Sequence, residues 1–342
     1  MTRQNVSWLV LAITISCMAL SSPQVAWASA CSATTTGNWG TAGIWTNCNS
    51  TTPQSTDTAT IAGGATVTLD SSSPTIQSLT LGSTYSGKLI VQSSQTLTVT
   101  NSGNTAINIT SNGTLQIGES SGNTNGTVTL DHSSGGGITN AGNLTFTGSG
   151  TLALNLTGAI VNSGTVTKVS TSTITFNGTT AQTWTDNNAT KQDFGVVVIN
   201  KTNATVSNNK ITLGSAVKAT SVTIDGTASA EDTLDLSSYT LTLTGSGTPL
   251  TRSGTFTSST GTVEYTSTDG VSALSSAAMT GTSKYYNLTI NSSGDTFTAG
   301  VAVEVSNIAN VNAGTLAMGA NNLTIGVTSG NGYLVGAGNV SQ

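Results

Sequence analysis

Along most of the chain, apolar and polar residues alternate one for one in short runs. Examples are Thr66-Val67-Thr68-Leu69, Ser78-Leu79-Thr80-Leu81, Thr96-Leu97-Thr98-Val99, Leu115-Gln116-Ile117, Leu144-Thr145-Phe146 and Leu152-Ala153-Leu154. A period of two puts the apolar side chains on one face of an extended strand and Thr, Asn or Gln on the other. No stretch after the first thirty residues sustains a 3.6-residue apolar period, so helix is not expected there. Gly, Asn and Ser separate the runs at intervals of roughly 8–14 residues, the spacing of a many-stranded all-β fold.

Two architectures satisfy this pattern. In a right-handed parallel β-helix, or solenoid, successive coils stack and their inward Val, Ile and Leu form a continuous stripe. In a string of β-sandwich modules, neighbouring strands pair antiparallel through tight hairpins. The dipeptides Asn112-Gly113, Asn125-Gly126, Asn177-Gly178 and Asn331-Gly332 favour hairpins. An aromatic content of 5%, only 4 Pro and the lack of a Cys-Trp-Cys core signature favour the β-helix, which is the expected fold. Phrases recur in the second half. Thr173-Ile174-Thr175-Phe176 resembles Thr262-Val263-Glu264-Tyr265, and Val196-Val197-Val198-Ile199-Asn200 resembles Asn287-Leu288-Thr289-Ile290-Asn291. The expected layout is therefore a cap over residues 31–65, coils over 66–170 and two longer modules over 171–342. The last module stops soon after a strand-like phrase, as in a chain whose next coils are missing.

Residues 1–30 read as a secretory signal peptide. Arg3 supplies the positive start, Trp8 to Leu20 the apolar stretch, and Ala28-Ser29-Ala30 an A-x-A cleavage site. No later segment is apolar enough to span a membrane. Cleavage after Ala30 makes Cys31 the first mature residue. In an exported chain, Cys31 and Cys48 are expected to form a disulfide; the alternative is a lipid on Cys31 with Cys48 left free.

The formal net charge is −5 and only 7% of residues are charged, which disfavours nucleic acid and anionic membrane as partners. Candidate chemistry is sparse, and neither a catalytic constellation nor a cofactor is expected. The single histidine, His132, sits beside Asp131 and before Ser133 in a Gly-rich turn and reads as solvated. Glu231, Asp232 and Asp235 are the densest acidic group, a weak Ca²⁺ candidate without a recognised spacing. Asp186 with Asp193, or Asp57 with Asp70, would have to face each other across a sugar bond to act as a glycosidase pair. A carbohydrate-active site would require a groove gathering several of Asp186, Asp193, Lys191, Lys210 and Arg252. Asn-x-Ser/Thr triplets, as at Asn108 and Asn287, arise from composition. Trp39, Trp45 and Trp184 are candidate stacking faces for a glycan; the first two read more readily as a cover for the open end of a solenoid.

The order Trp39, Trp45, Pro53, Asp57-Thr58-Ala59-Thr60-Ile61, Gly64, Val67-Thr68-Leu69, Ile76, Leu79-Thr80-Leu81 and Leu115-Gln116-Ile117-Gly118 resembles the entry region of bacterial secreted β-helix proteins, including the G8-type domain. The later phrases Gly261-Thr262-Val263-Glu264-Tyr265 and Gly314-Thr315-Leu316 resemble Thr/Gly/Asn-rich repeats of surface proteins and autotransporter-like passengers. The resemblance implies a secreted or cell-surface structural or adhesive role, with surface polysaccharide or other surface proteins as partners. The alternatives are a carbohydrate-active β-helix enzyme and a glycan-binding module.

Overall fold

The computed structural model describes residues 28–70, 73–92, 94–101, 105–119, 126–130, 136–226, 231–267, 270–326 and 331–342. Most of its strands are short, and they wind into a parallel β-solenoid of about twelve turns. Three faces carry the strands. The first is an 11-stranded sheet, and the third an 8-stranded sheet. The second begins as a 6-stranded sheet and is taken up again by a 9-stranded sheet that also carries the last turns.

Register shows why the alternating pattern gives a stack. On the first face Cys31, Ala59, Leu79, Ile107, Ile138, Ile160 and Trp184 lie directly over one another. On the second face Val67, Leu89, Leu115, Leu144 and Val166 do the same. On the third, Leu97, Val128, Leu154, Ile174, Val197, Val222 and Leu250 form the column. Each turn takes roughly 20 to 30 residues, the size of a solenoid repeat. Nearly all of these apolar residues are fully buried, and the Thr between them faces outward. Parallel pairing throughout these columns rules out the string of sandwiches.

Asn112-Gly113, Asn177-Gly178 and Asn331-Gly332 do not make hairpins, and Asn125 lies outside the described residues. Gly113 opens the strand Gly113–Ile117, which pairs parallel to Gly87–Val91 and to Asn143–Phe146. A Cβ on Gly113 would lie 2.2 Å from the Leu81 carbonyl oxygen of the turn below. The glycine is there for close approach at a corner.

Three features of the strand pairing bear on the layout. Strand pairing starts at Ala30–Ala33, which stacks on Thr58–Ile61, so the cap region already contains rungs of the stack. The strand Leu152–Leu156 pairs with Ser172–Phe176, so the third face runs on through residue 170. The recurring phrases of the second half occupy different faces: Ser172–Phe176 lies on the third and Thr262–Tyr265 on the second. Their similarity is one of strand composition, and whole coils do not repeat at that distance.

One pair breaks the parallel rule. Trp45–Thr46 runs antiparallel along Ala30–Ala33 and covers the outer edge of the first rung. The Trp45 indole nitrogen donates to the Trp39 carbonyl at 2.8 Å, and the two rings meet edge to face at 4.9 Å. Cys31 and Cys48 are joined by a disulfide that closes this segment.

Candidate functional site

The interior is not wholly apolar. A second column on the first face begins as Ala33, Ile61, Leu81 and Ile109 and then becomes Asn140, Asn162 and Asp186. All three polar side chains are fully buried. The Asn140 amide donates to Asn162 Oδ1 at 2.7 Å, and the Asn162 amide donates to Asp186 Oδ1 at 3.0 Å. Asp186 Oδ1 also accepts from the Asn188 amide at 2.7 Å, and its Oδ2 accepts from the Gln192 N–H at 2.6 Å. Stacked amides suit a parallel register because each side chain offers both a donor and an acceptor. Asp186, which only accepts, ends the ladder.

The ladder ends where the second face is interrupted. The 6-stranded sheet finishes at Thr165–Thr167, and the segment 187–195 takes the place of a strand in the next turn. Polar bonds bridge the gap. Lys168 pairs with Asp193 Oδ2 at 3.0 Å. Thr220 Oγ1 lies 3.3 Å from Asp193 Oδ1, and Thr244 Oγ1 donates to Asp193 Oδ2 at 2.8 Å. Lys191 Nζ donates to the Asp186 and Asn188 carbonyls, both at 2.7 Å. Beneath the segment, Phe194 packs edge to face on Trp184 at 5.4 Å, and Phe176 lies 6.0 Å from the same indole.

A third buried group lies at the corner after Val196–Ile199. Lys201 is fully buried, and its ammonium donates to the Thr180 carbonyl at 2.8 Å and to Gln182 Oε1. Its backbone N–H donates to Asp232 Oδ2 at 2.8 Å, while Asp232 Oδ1 is buried without a partner. Burial lowers the Lys201 pKa to about 8, against an opposing pull from the Asp232 charge. Burial raises Asp232 to about 6, partly offset by the Lys201 N–H and charge.

These facts relocate most of the candidate residues. Trp39, Trp45 and Trp184 are at most 6% exposed, so none offers an open ring face for a glycan; their faces are covered by one another or by Phe176 and Phe194. The acidic trio does not converge. Glu231 accepts from Thr255, Asp232 turns to Lys201, and Asp235 pairs with Lys210 at 2.6 Å. Among the described residues no three His, Cys, Asp or Glu side chains cluster for a metal. Arg252 bonds to the carbonyls of Gly254 and Ala278. Asp57 binds Ser29 and Gln54, and Asp70 accepts from Asn38. His132 and Asp131 lie outside the described residues. Two shallow clefts lie among the described residues. One of about 300 Å³ is lined by Trp39, Thr51, Pro53, Gln54, Ser73 and Thr75, beside the cap. The other, of about 460 Å³, lies over the last turns next to Asp295, whose Oδ2 is buried and unpartnered.

The rungs, the capped first edge and the ladder that stops at Asp186 coincide with a known family boundary. Residues 44–188 match the G8 domain. The G8 domain starts at Ile44, beside the capping strand, and ends at Asn188, the residue that closes the ladder on Asp186. The coils beyond it continue the stack across the bridged gap. No curated relative and no solved structure matches the chain. No helix among the described residues is long and apolar enough to cross a membrane.

The ladder was not legible in advance. Asn140 and Asn162 look like turn residues in the sequence, and only the register puts them under Ile109. The signal in the sequence is the phrase Ile138-Thr139-Asn140 recurring as Ile160-Val161-Asn162.

Proposed function

We propose that this chain is an extracellular structural β-solenoid, a stiff module that holds distance or presents surface rather than a catalyst. The observation that carries this is the use of its charged and amide side chains. Asp186, Asp193, Lys168, Lys201 and Asp235 each tie one turn to another, so the groups with the most chemical potential are fastened into the wall. The G8 domain supports an extracellular location, as do the disulfide and the leader-like residues 1–30. Outward Thr and Asn rows give the rod a polar, weakly charged surface. We take the adhesive form of this role to be contact between that surface and cell-surface polysaccharide.

The test is a panel of polysaccharides incubated with the purified chain, with released sugar and retained binding both measured. Binding without sugar release is the expected result. Sugar release that disappears in Asp186→Asn or Asp193→Asn would replace the structural reading with an enzymatic one. Absence of both binding and release would leave the rod and remove its adhesive form.

A further inference from the structure

The carboxylate of Asp57 is 2% exposed, and most of its partners come from one residue. The Ser29 N–H donates to Asp57 Oδ1 at 2.9 Å and the Ser29 hydroxyl donates to the same oxygen at 2.6 Å. The Gln54 N–H donates to Oδ2 at 2.9 Å. Ser29 is held from other sides as well. Its carbonyl accepts from the Thr58 N–H at 2.9 Å, and its hydroxyl accepts from the Asn49 N–H at 3.3 Å. Ala30 follows in register with Thr58. Removing Ser29 and Ala30, as a cut after Ala30 would do, strips a buried carboxylate of two of its three donors. Leaving such a group unpaired is costly.

A second A-x-A site lies two residues earlier, Ala26-Trp27-Ala28, with small residues at the two positions that a signal peptidase reads. We propose that the chain is cut between Ala28 and Ser29 and that the freed α-ammonium of Ser29 docks on Asp57 as the anchor of the mature N-terminus. Water adds across the Ala28–Ser29 peptide bond under a peptidase. Ala28 leaves as a carboxylate, and the Ser29 nitrogen takes up a proton to become an ammonium. The amide N–H bond to the Asp57 carboxylate then becomes an ammonium–carboxylate ion pair at the same position. The anchor sits beside the Cys31–Cys48 disulfide, so export, oxidation and closure of the first rung converge on one short stretch. The inference rests on the export reading above and adds to it the site of processing and the role of the new terminus.

The experiment expresses the full chain with its own leader in bacterial and eukaryotic secreting hosts. It reads the intact mass and N-terminal sequence of the product. A secreted chain beginning at Ser29 is expected. A secreted chain beginning at Ala30, Cys31 or elsewhere overturns the docking while export stands, and so does a lipid on Cys31. A chain kept uncut inside both hosts overturns export and docking together. A second measurement isolates the ion pair. The mature chain is melted with Ser29 free and with its amine acetylated, which removes the charge and keeps one N–H. The acetylated form should melt about 2–4 °C lower, and Asp57→Asn should abolish that difference. Equal melting of the free and acetylated chains overturns the ion pair.

Discussion

At the scale of single residues, Asp186 terminates a ladder of three buried polar side chains. Replacing it with Ala removes the acceptor for Asn162, Asn188 and Gln192 at once and leaves the Asn162 donor buried and the other two half-buried. Each charge-assisted bond of this kind is worth about 1.5–3 kcal/mol. Asp186→Ala should therefore cost several kcal/mol, and Asp186→Asn less, as read from urea unfolding midpoints. Lys201 gives a pH signature. Its folded pKa of about 8 lies below the ordinary 10.5 of the unfolded chain. Between those values the unfolded chain still holds a proton that the folded chain has released, so this site adds stability as pH rises through the window. Asp232 acts oppositely at lower pH. With a folded value of about 6 against 3.8, it retains a proton in the fold, and stability falls as pH rises between the two. The gap in unfolding midpoint between the native chain and Lys201→Met should shift in favour of the native chain from about pH 7.5 to about pH 9.5. A constant gap would contradict the assignment.

At the scale of elements, the rungs depend on corners that admit no side chain. Gly113→Ala places a methyl 2.2 Å from the Leu81 carbonyl oxygen, a backbone atom that cannot swing aside. A loss of about 1–3 kcal/mol is expected. Gly40→Ala meets nothing within 4 Å and should be close to neutral, which makes it the control in the same thermal melts. The cap is tied by Cys31–Cys48, with a sequence separation of 17. Reduction should lower unfolding stability by about 3 kcal/mol, measured with and without reductant. These elements were only partly readable from the chain. Alternation exposed strands such as Thr66-Val67-Thr68-Leu69, because period two is a local property. It also suggested hairpins at Asn112-Gly113, because hairpin turns and solenoid corners ask for the same residues. Close approach to Leu81 is a relation between turns, invisible until the strands are stacked. The buried faces of Trp39, Trp45 and Trp184 are set instead by bends within a turn, which bring Trp39 to Trp45 and both Phe176 and Phe194 to Trp184.

At the scale of the whole molecule, stability is passed from neighbour to neighbour along the rod. The apolar columns supply most of it, and the Asn140–Asn162–Asp186 ladder with the Asp193 bridges joins the G8 domain to the coils beyond. The far end is different in character: the strand Tyr333–Val335 and Val340 are exposed, with Tyr333 at 58%. The claim under everything else is that successive windings run parallel in one continuous column. Stacked strands lie about 4.8 Å apart, so spin labels at Thr60 and Thr257, on the second and last parallel strands of the first face, should sit about 40 Å apart. Double electron–electron resonance on that doubly labelled chain is the direct measurement. A single narrow peak near that distance is the expected result. A broad distribution, or a peak far from it, would mean separately folded units and would contradict the account.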